Sequence, residues 1–113
     1  MSVIDKSYPN EYIFMNLLEK SVEFDEWFRG LKDRVGKAQI ALRLDRAVRG
    51  HFGDCSAVGS GVMEMRIHFG PGYRVYFTQR GSVVYLLLTG GDKSTQKRDI
   101  KKAIAMAHAL PED

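Results

Sequence analysis

The spacing of apolar residues changes near Gly61, from helical to strand-like, and that change bounds what the chain can fold into. Before it, Phe24, Trp27, Phe28 and Leu31 recur at i, i+3, i+4, i+7, the single apolar face of a helix over about residues 22–31. Ser21 stands where an N-cap belongs, with Glu23 and Asp25 in the first turn against the helix dipole. Asp33 can cap a second helix running to about residue 48 and stopped by Gly50; Ile40, Ala41, Leu44, Ala47 and Val48 make its inner face. After Gly61 the period is two. Met63, Met65, Ile67 and Phe69 alternate with Val62, Glu64, Arg66 and His68, and Tyr73, Val75 and Phe77 alternate with Arg74, Tyr76 and Thr78.

Gly70-Pro71-Gly72 separates these two strands as a hairpin turn. Residues 83–88 are apolar on both faces, as a central strand is, and Gly90-Gly91 ends that run. Ser94 or Thr95 can cap a last helix with Ile100, Ala103, Ile104 and Ala107 inward. Residues 14–19 read as a short first strand, residues 1–14 as an N-terminal extension, and residues 51–61 as a loop of glycine and small residues. The expected fold is α+β in the order β-α-α-β-β-β-α: a sheet of about four strands, largely antiparallel, with helices packed on one face. One domain over residues 15–113 follows the extension.

No apolar run reaches the ~20 residues of a membrane helix, and the first residues lack the basic and apolar segments of a secretory signal. The single cysteine, Cys55, excludes an internal disulfide and fits a reducing cytoplasm. The net charge of +3 is unevenly spread: residues 1–28 sum to −4, residues 29–50 to +5 and residues 51–113 to +2. A basic middle segment favours a polyanion or an acidic protein partner, and it is also what a solvated helix face carries.

The hairpin places possible chemistry on one face. A turn centred on Pro71 pairs residues whose numbers sum to about 142, so His68 faces Arg74, Arg66 faces Tyr76 and Glu64 faces Thr78. All six share the face opposite the apolar one, and that face is expected to look outward. A solvated sheet face is ordinarily polar. Two arginines beside a tyrosine also form a phosphate clamp, because guanidinium binds phosphate oxygens in pairs. Tyr76 is suited to stack on a base or to hydrogen-bond a reacting oxygen, and Glu64 to orient an arginine or take a proton. Gly90 to Gln96, with Lys93 inside it, can offer backbone N–H groups to an anion, or be a plain strand-to-helix turn. His51, His68 and His108 have no ligand spacing, so no metal is expected. Cys55 reads as a bystander thiol.

In order and spacing these segments resemble the RelE/ParE superfamily of toxin–antitoxin toxins, nearest to its HigB-like or phage Gp49-like branch, the addiction module killer proteins. The resemblance runs from about Met15 to Leu110. It rests on Glu23-Phe24-Asp25-Glu26-Trp27, Ile40-Ala41-Leu42-Arg43-Leu44 and Gly53-Asp54. It continues through Val58-Gly59-Ser60-Gly61-Val62-Met63-Glu64-Met65-Arg66-Ile67 and Gly70-Pro71-Gly72-Tyr73-Arg74-Val75-Tyr76-Phe77. Leu86-Leu87-Leu88-Thr89-Gly90-Gly91-Asp92-Lys93-Ser94-Thr95-Gln96, Asp99-Ile100 and Ala103 complete it.

The resemblance implies a cytoplasmic toxin of a type II toxin–antitoxin system, neutralised by a small helix-turn-helix antitoxin of the HigA kind. It implies a metal-independent, cofactor-free endoribonuclease that cuts mRNA on the ribosome and so inhibits translation. The 2′-hydroxyl attacks the adjacent phosphate and the 5′-oxygen leaves. Arg74 falls on a recurrent catalytic position; with Arg66 it is expected to stabilise the phosphorane. Lys93 contacts phosphate or helps proton transfer, Tyr76 positions a nucleotide or the 2′-hydroxyl, and Glu64 is either a base or a brace for Arg66. Arg43, Arg46, His68 and Gln96 are expected at RNA. The His and Tyr pattern near the C-terminus of some ribosome-dependent relatives is absent. The other reading in the superfamily is a ParE-like toxin that binds DNA gyrase and catalyses nothing; an inactive RNA-binding relative is a third.

Overall fold

The computed structural model describes residues 15–112, so the expected N-terminal extension lies outside the described residues. The elements are β1 (Leu17–Lys20), α1 (Val22–Gly30), α2 (Arg34–Val48), β2 (Cys55–Gly59), β3 (Val62–Ile67), β4 (Tyr73–Gln79), β5 (Val84–Gly91), a 3-10 turn (Lys93–Thr95) and α3 (Gln96–His108). The sheet order is β1-β5-β4-β3-β2; β1 runs parallel to β5 and every other pair is antiparallel. The fold is α+β, with five strands rather than about four. No described helix is long and apolar enough to cross a membrane.

The added strand is β2, inside the stretch read as a loop. Cys-Ser-Ala-Val-Gly has little intrinsic strand preference. Its pairing with β3 makes it a strand, with the register shifting between Ala57 and Gly59. The expected helix starts are present. Ser21 Oγ accepts from Phe24 N at 2.9 Å and donates to the Leu88 carbonyl at 2.6 Å, so one hydroxyl caps α1 and ties it to β5. Asp33 caps α2 through Gly36 N at 2.9 Å, and its other oxygen accepts from the Tyr73 hydroxyl at 2.7 Å. The last helix is entered differently. Asp92, rather than Ser94 or Thr95, supplies the capping side chain, and Thr95 answers it in a capping box.

The helices cover both faces of the sheet, not one. Phe24, Ile40 and Ala47 of α1 and α2 meet Met65, Ile67, Tyr73, Val75, Phe77 and Leu87 on one side. On the other side Ala103 of α3 packs on Val62, Tyr76 and Leu88, with Ile100 and Ile104 beside them. Alternation correctly sorts side chains between the two faces, but it does not say that a second apolar layer waits opposite the first. Gly90 and Gly91 are the last two residues of β5, which ends at them as expected. A Cβ on Gly90 would overlap the Trp27 ring, and one on Gly91 would overlap the Asp99 carboxylate. These glycines let α1 and α3 close onto opposite faces of the same strand end.

Candidate active site

The β3–β4 turn and the 3-10 turn face each other across an open groove of about 450 Å³ at one end of the sheet. Arg66, His68, Arg74 and Lys93 line it, with Gly70-Pro71-Gly72 as its floor. Gly70 and Gly72 have φ of 57° and 77°, a conformation that a side chain resists. Gly72 is needed for space as well: a Cβ there would sit 3.1 Å from Arg74 Nη1 and 3.3 Å from Lys93 Cβ. Lys93 N reaches the Pro71 carbonyl at 3.3 Å, which joins the two walls.

The hairpin register differs from the expected one by two residues. Glu64 pairs with Tyr76 and Arg66 with Arg74. The turn is wider and centred nearer Gly70, with Phe69 N bonded to the Ile67 carbonyl and Gly72 N to the Phe69 carbonyl. An even slip leaves every side chain on its expected face. Arg66, His68 and Arg74 therefore still share a face, and His68 stands beyond the last ladder pair.

That face is not open along its length, because α3 covers its inner half. Tyr76, expected outward, is 0% exposed and Glu64 is 1% exposed. Both Glu64 oxygens are engaged. Oε1 accepts from Arg66 Nη1 at 3.0 Å; Oε2 accepts from the Tyr76 hydroxyl at 3.0 Å and from Gln96 Nε2 at 2.8 Å. Burial pushes the Glu64 carboxyl up, but the Gln96, Tyr76 and Arg66 hydrogen bonds and the Arg74 charge pull it further down, and the net shift is downward. Burial, with Glu64 beside it, raises the Tyr76 phenol well above its ordinary value. Glu64, Tyr76 and Gln96 thus form a buried brace behind the groove.

Arg66 is also heavily committed. Its Nε and Nη2 donate to the two Asp54 oxygens at 3.1 and 2.7 Å, and Nη1 donates to Ser56 Oγ at 2.8 Å as well as to Glu64. Arg74 is the opposite case. Its side chain is 11% exposed, yet it makes one hydrogen bond, Nη1 to the Gly72 carbonyl at 2.7 Å. Nε is ion-paired with Glu64 Oε2 at 3.4 Å but, buried there, has no hydrogen-bond partner among the described residues. A guanidinium carries five N–H donors, and an unpaired buried donor costs about 1–3 kcal/mol. Lys93 is exposed, with no side-chain partner among the described residues. Unspent donors therefore concentrate on Arg74 and Lys93.

Arg43 is drawn away from its expected place. Nη1 donates to the Arg66 carbonyl at 2.5 Å and Nη2 to the Phe52 carbonyl at 3.0 Å, so it holds the segment before β2. Arg46 is exposed on α2. Sequence reasoning passed over Asp54 as a site residue. It accepts from Arg66 and from His68, whose Nε2 is 2.6 Å from Asp54 Oδ2, and both bonds hold its carboxyl well below the usual range. Its signal was the Gly53-Asp54 pair just before a stretch that faces Arg66: Gly53 turns with φ 74°, and the Arg43 guanidinium packs where its side chain would be. Burial raises the Cys55 thiol. Among the described residues no three His, Cys, Asp or Glu side chains gather as a metal-binding group.

No family model matches the chain. An uncharacterized protein of Haemophilus influenzae Rd is 44% identical over 93 residues, which cover 82% of this chain and 94% of that protein. Among solved structures, a free-state double-arginine mutant of the Escherichia coli toxin RelE aligns with a TM-score of 0.63 at 14% identity, over 85% of this chain and 99% of its own. That likeness assigns the RelE-like fold.

Proposed function

The chain belongs to one family with the Haemophilus influenzae protein; from that and its RelE-like fold we propose that it is the toxin of a type II toxin–antitoxin pair, an mRNA endonuclease of the HigB-like branch that acts on the ribosome. The observation that carries this reading is the nearly buried Arg74 guanidinium, backed by its ion pair with Glu64 and with more N–H donors than it uses, beside the exposed Lys93 ammonium at the rim of an open groove. Such a site suits a phosphate entering from one side.

In this reading Arg74 grips the nonbridging oxygens of the scissile phosphate and neutralises the charge that builds on the phosphorane. Lys93 adds a second cation and gives a proton to the departing 5′-oxygen. The O2′–P bond forms, the P–O5′ bond breaks, and the ends are a 2′,3′-cyclic phosphate and a 5′-hydroxyl. Arg66, anchored by Asp54 and Glu64, lends charge to the groove and holds its wall. Glu64, Tyr76 and Gln96 keep Arg74 in place from behind. Arg46 supplies general attraction to RNA. A small helix-turn-helix antitoxin is the expected partner, and no metal or cofactor takes part in the reaction.

The test adds purified protein to a cell-free translation reaction and maps mRNA 5′ ends, with Arg74→Ala alongside. New ends that require ribosomes and vanish in the variant support the reading. Intact mRNA with normal translation overturns it and turns attention to DNA gyrase, the target in the ParE-like reading.

A further inference from the structure

We propose that Asp54 and His68 work as a pair in which Asp54 positions the His68 imidazole to take the proton from the attacking 2′-hydroxyl. This rests on the endonuclease reading above and supplies the proton acceptor that the buried Glu64 cannot be. Glu64 is 1% exposed and both of its oxygens are occupied.

His68 has the opposite surroundings. Its side chain is 73% exposed, on the rim of the groove that Arg74 and Lys93 line. One ring nitrogen is already assigned a partner: Nε2 lies 2.6 Å from Asp54 Oδ2. With that nitrogen donating, the neutral ring presents Nδ1 as its acceptor. The carboxylate also stabilises the imidazolium formed when Nδ1 takes a proton. Asp54 is itself fixed, because Arg66 grips both of its oxygens, at 2.7 and 3.1 Å. A flexible surface histidine is thereby given one tautomer and one orientation. The same two bonds keep the Asp54 carboxyl ionised.

The charged groups facing the imidazole are Asp54 from the segment before β2, Arg66 on its own strand, Arg74 on β4 and Lys93 on the 3-10 turn. Asp54 favours the imidazolium and the three cations oppose it. The proton balance closes without another reactant. Nδ1 takes the 2′-hydroxyl proton, the O2′–P bond forms as the P–O5′ bond breaks, and Lys93 protonates the leaving oxygen. Solvent then returns the proton from the imidazolium to the lysine amine. Asp54 touches no substrate and is a positioning residue.

The experiment measures single-turnover cleavage on purified ribosomes programmed with a defined mRNA, from about pH 6 to pH 8.5, for wild type, Arg74→Ala, His68→Gln, His68→Ala, Asp54→Asn and the His68→Gln, Asp54→Asn double variant. A general base contributes roughly 10²- to 10⁴-fold, so His68→Gln is expected to slow cleavage by about that factor and to erase the rise of rate with pH. Free imidazole added to His68→Ala restores part of the rate. Asp54→Asn is expected to slow cleavage on its own but to add little in the His68→Gln background, since it acts through the imidazole. A residue that only anchors Arg66 would lower the rate by the same factor in both backgrounds. His68→Gln leaves the Arg66–Asp54 contact intact, so misfolding of Asp54→Asn does not decide the outcome. Wild-type cleavage that is lost in Arg74→Ala but stays within about threefold in His68→Gln, with its pH profile unchanged, overturns this pair and leaves the endonuclease reading standing. An Asp54→Asn loss of the same size with and without His68 overturns the positioning role. No cleavage by wild type overturns both readings.

Discussion

Gln96 donates its side-chain amide to Glu64 across 32 positions of sequence, Nε2 to Oε2 at 2.8 Å, and this bond fastens the first turn of α3 to the sheet. Glu64 also collects Tyr76 and Arg66 and lies against Arg74, so one buried carboxylate joins β3, β4 and α3. Removing one partner of a buried ion pair leaves uncompensated charge and costs about 3–5 kcal/mol. Glu64→Ala is therefore expected to lose stability of that order, measured by urea unfolding at pH 7. A near-neutral variant would mean that α3 is held by its apolar contacts alone.

The same carboxylate makes stability depend on acid. In the fold the Glu64 carboxyl lies below its ordinary range, through the balance of burial against its hydrogen bonds, and Asp33 does too, chiefly through the Gly36 amide bond. Groups with depressed folded values contribute fully above the unfolded value and lose that contribution as pH falls through the folded one. The urea midpoint is expected to be flat from pH 7 to about pH 5 and to fall below it. A midpoint unchanged at pH 3 would contradict the assigned carboxylate bonds.

Two glycines should respond in opposite directions to alanine. At Gly90 the new methyl would overlap the Trp27 ring, whereas at Gly30 nothing lies within 4 Å. Overpacking costs roughly 1–3 kcal/mol, so Gly90→Ala is expected to lower the melting temperature. Gly30→Ala, at the end of α1, is expected to be neutral or to gain up to about 1 kcal/mol by restricting the unfolded chain. Thermal melts of the two variants side by side check this.

Arg43 and Arg46, three residues apart on α2, should separate stability from RNA attraction. Arg43→Ala strips donors from the Phe52 and Arg66 carbonyls and is expected to cost about 1–3 kcal/mol, the penalty of leaving such groups unpaired. Arg46→Ala should leave the unfolding curve unchanged while weakening RNA binding at low salt and reducing the salt slope by about one. Equal effects of the two on RNA binding would contradict the division.

Arg74→Lys keeps the charge and loses the planar fork. Cleavage is expected to fall by roughly 10²-fold or more, the scale seen when one preorganised donor to a developing oxyanion is removed. The circular dichroism spectrum should stay that of wild type, since lysine keeps the charge beside Glu64 and Arg74 otherwise gives the fold one hydrogen bond, to Gly72. Full activity in the lysine variant would show that the site needs only a point charge.

The sequence by itself determined the helix spans, the caps at Ser21 and Asp33, the hairpin and the side of the sheet on which each strand residue stands. These follow from local periods and local hydrogen bonds, which a chain carries wherever it is packed. Even the two-residue error in register left the sides intact, because strand alternation has period two. Tertiary structure alone decided what lies over each side. Ala103 and Ile100 of α3 pack on Tyr76, and Gln96 of the same helix bonds the buried Glu64, so part of an apparently open polar face became a brace. It also made a strand of Cys55–Gly59 by pairing it with β3, placed Gly90 beneath Trp27, and brought Asp54 within reach of both Arg66 and His68. Contacts between residues far apart in sequence leave no local period behind, and the groove where Arg74 and Lys93 meet is made of such contacts.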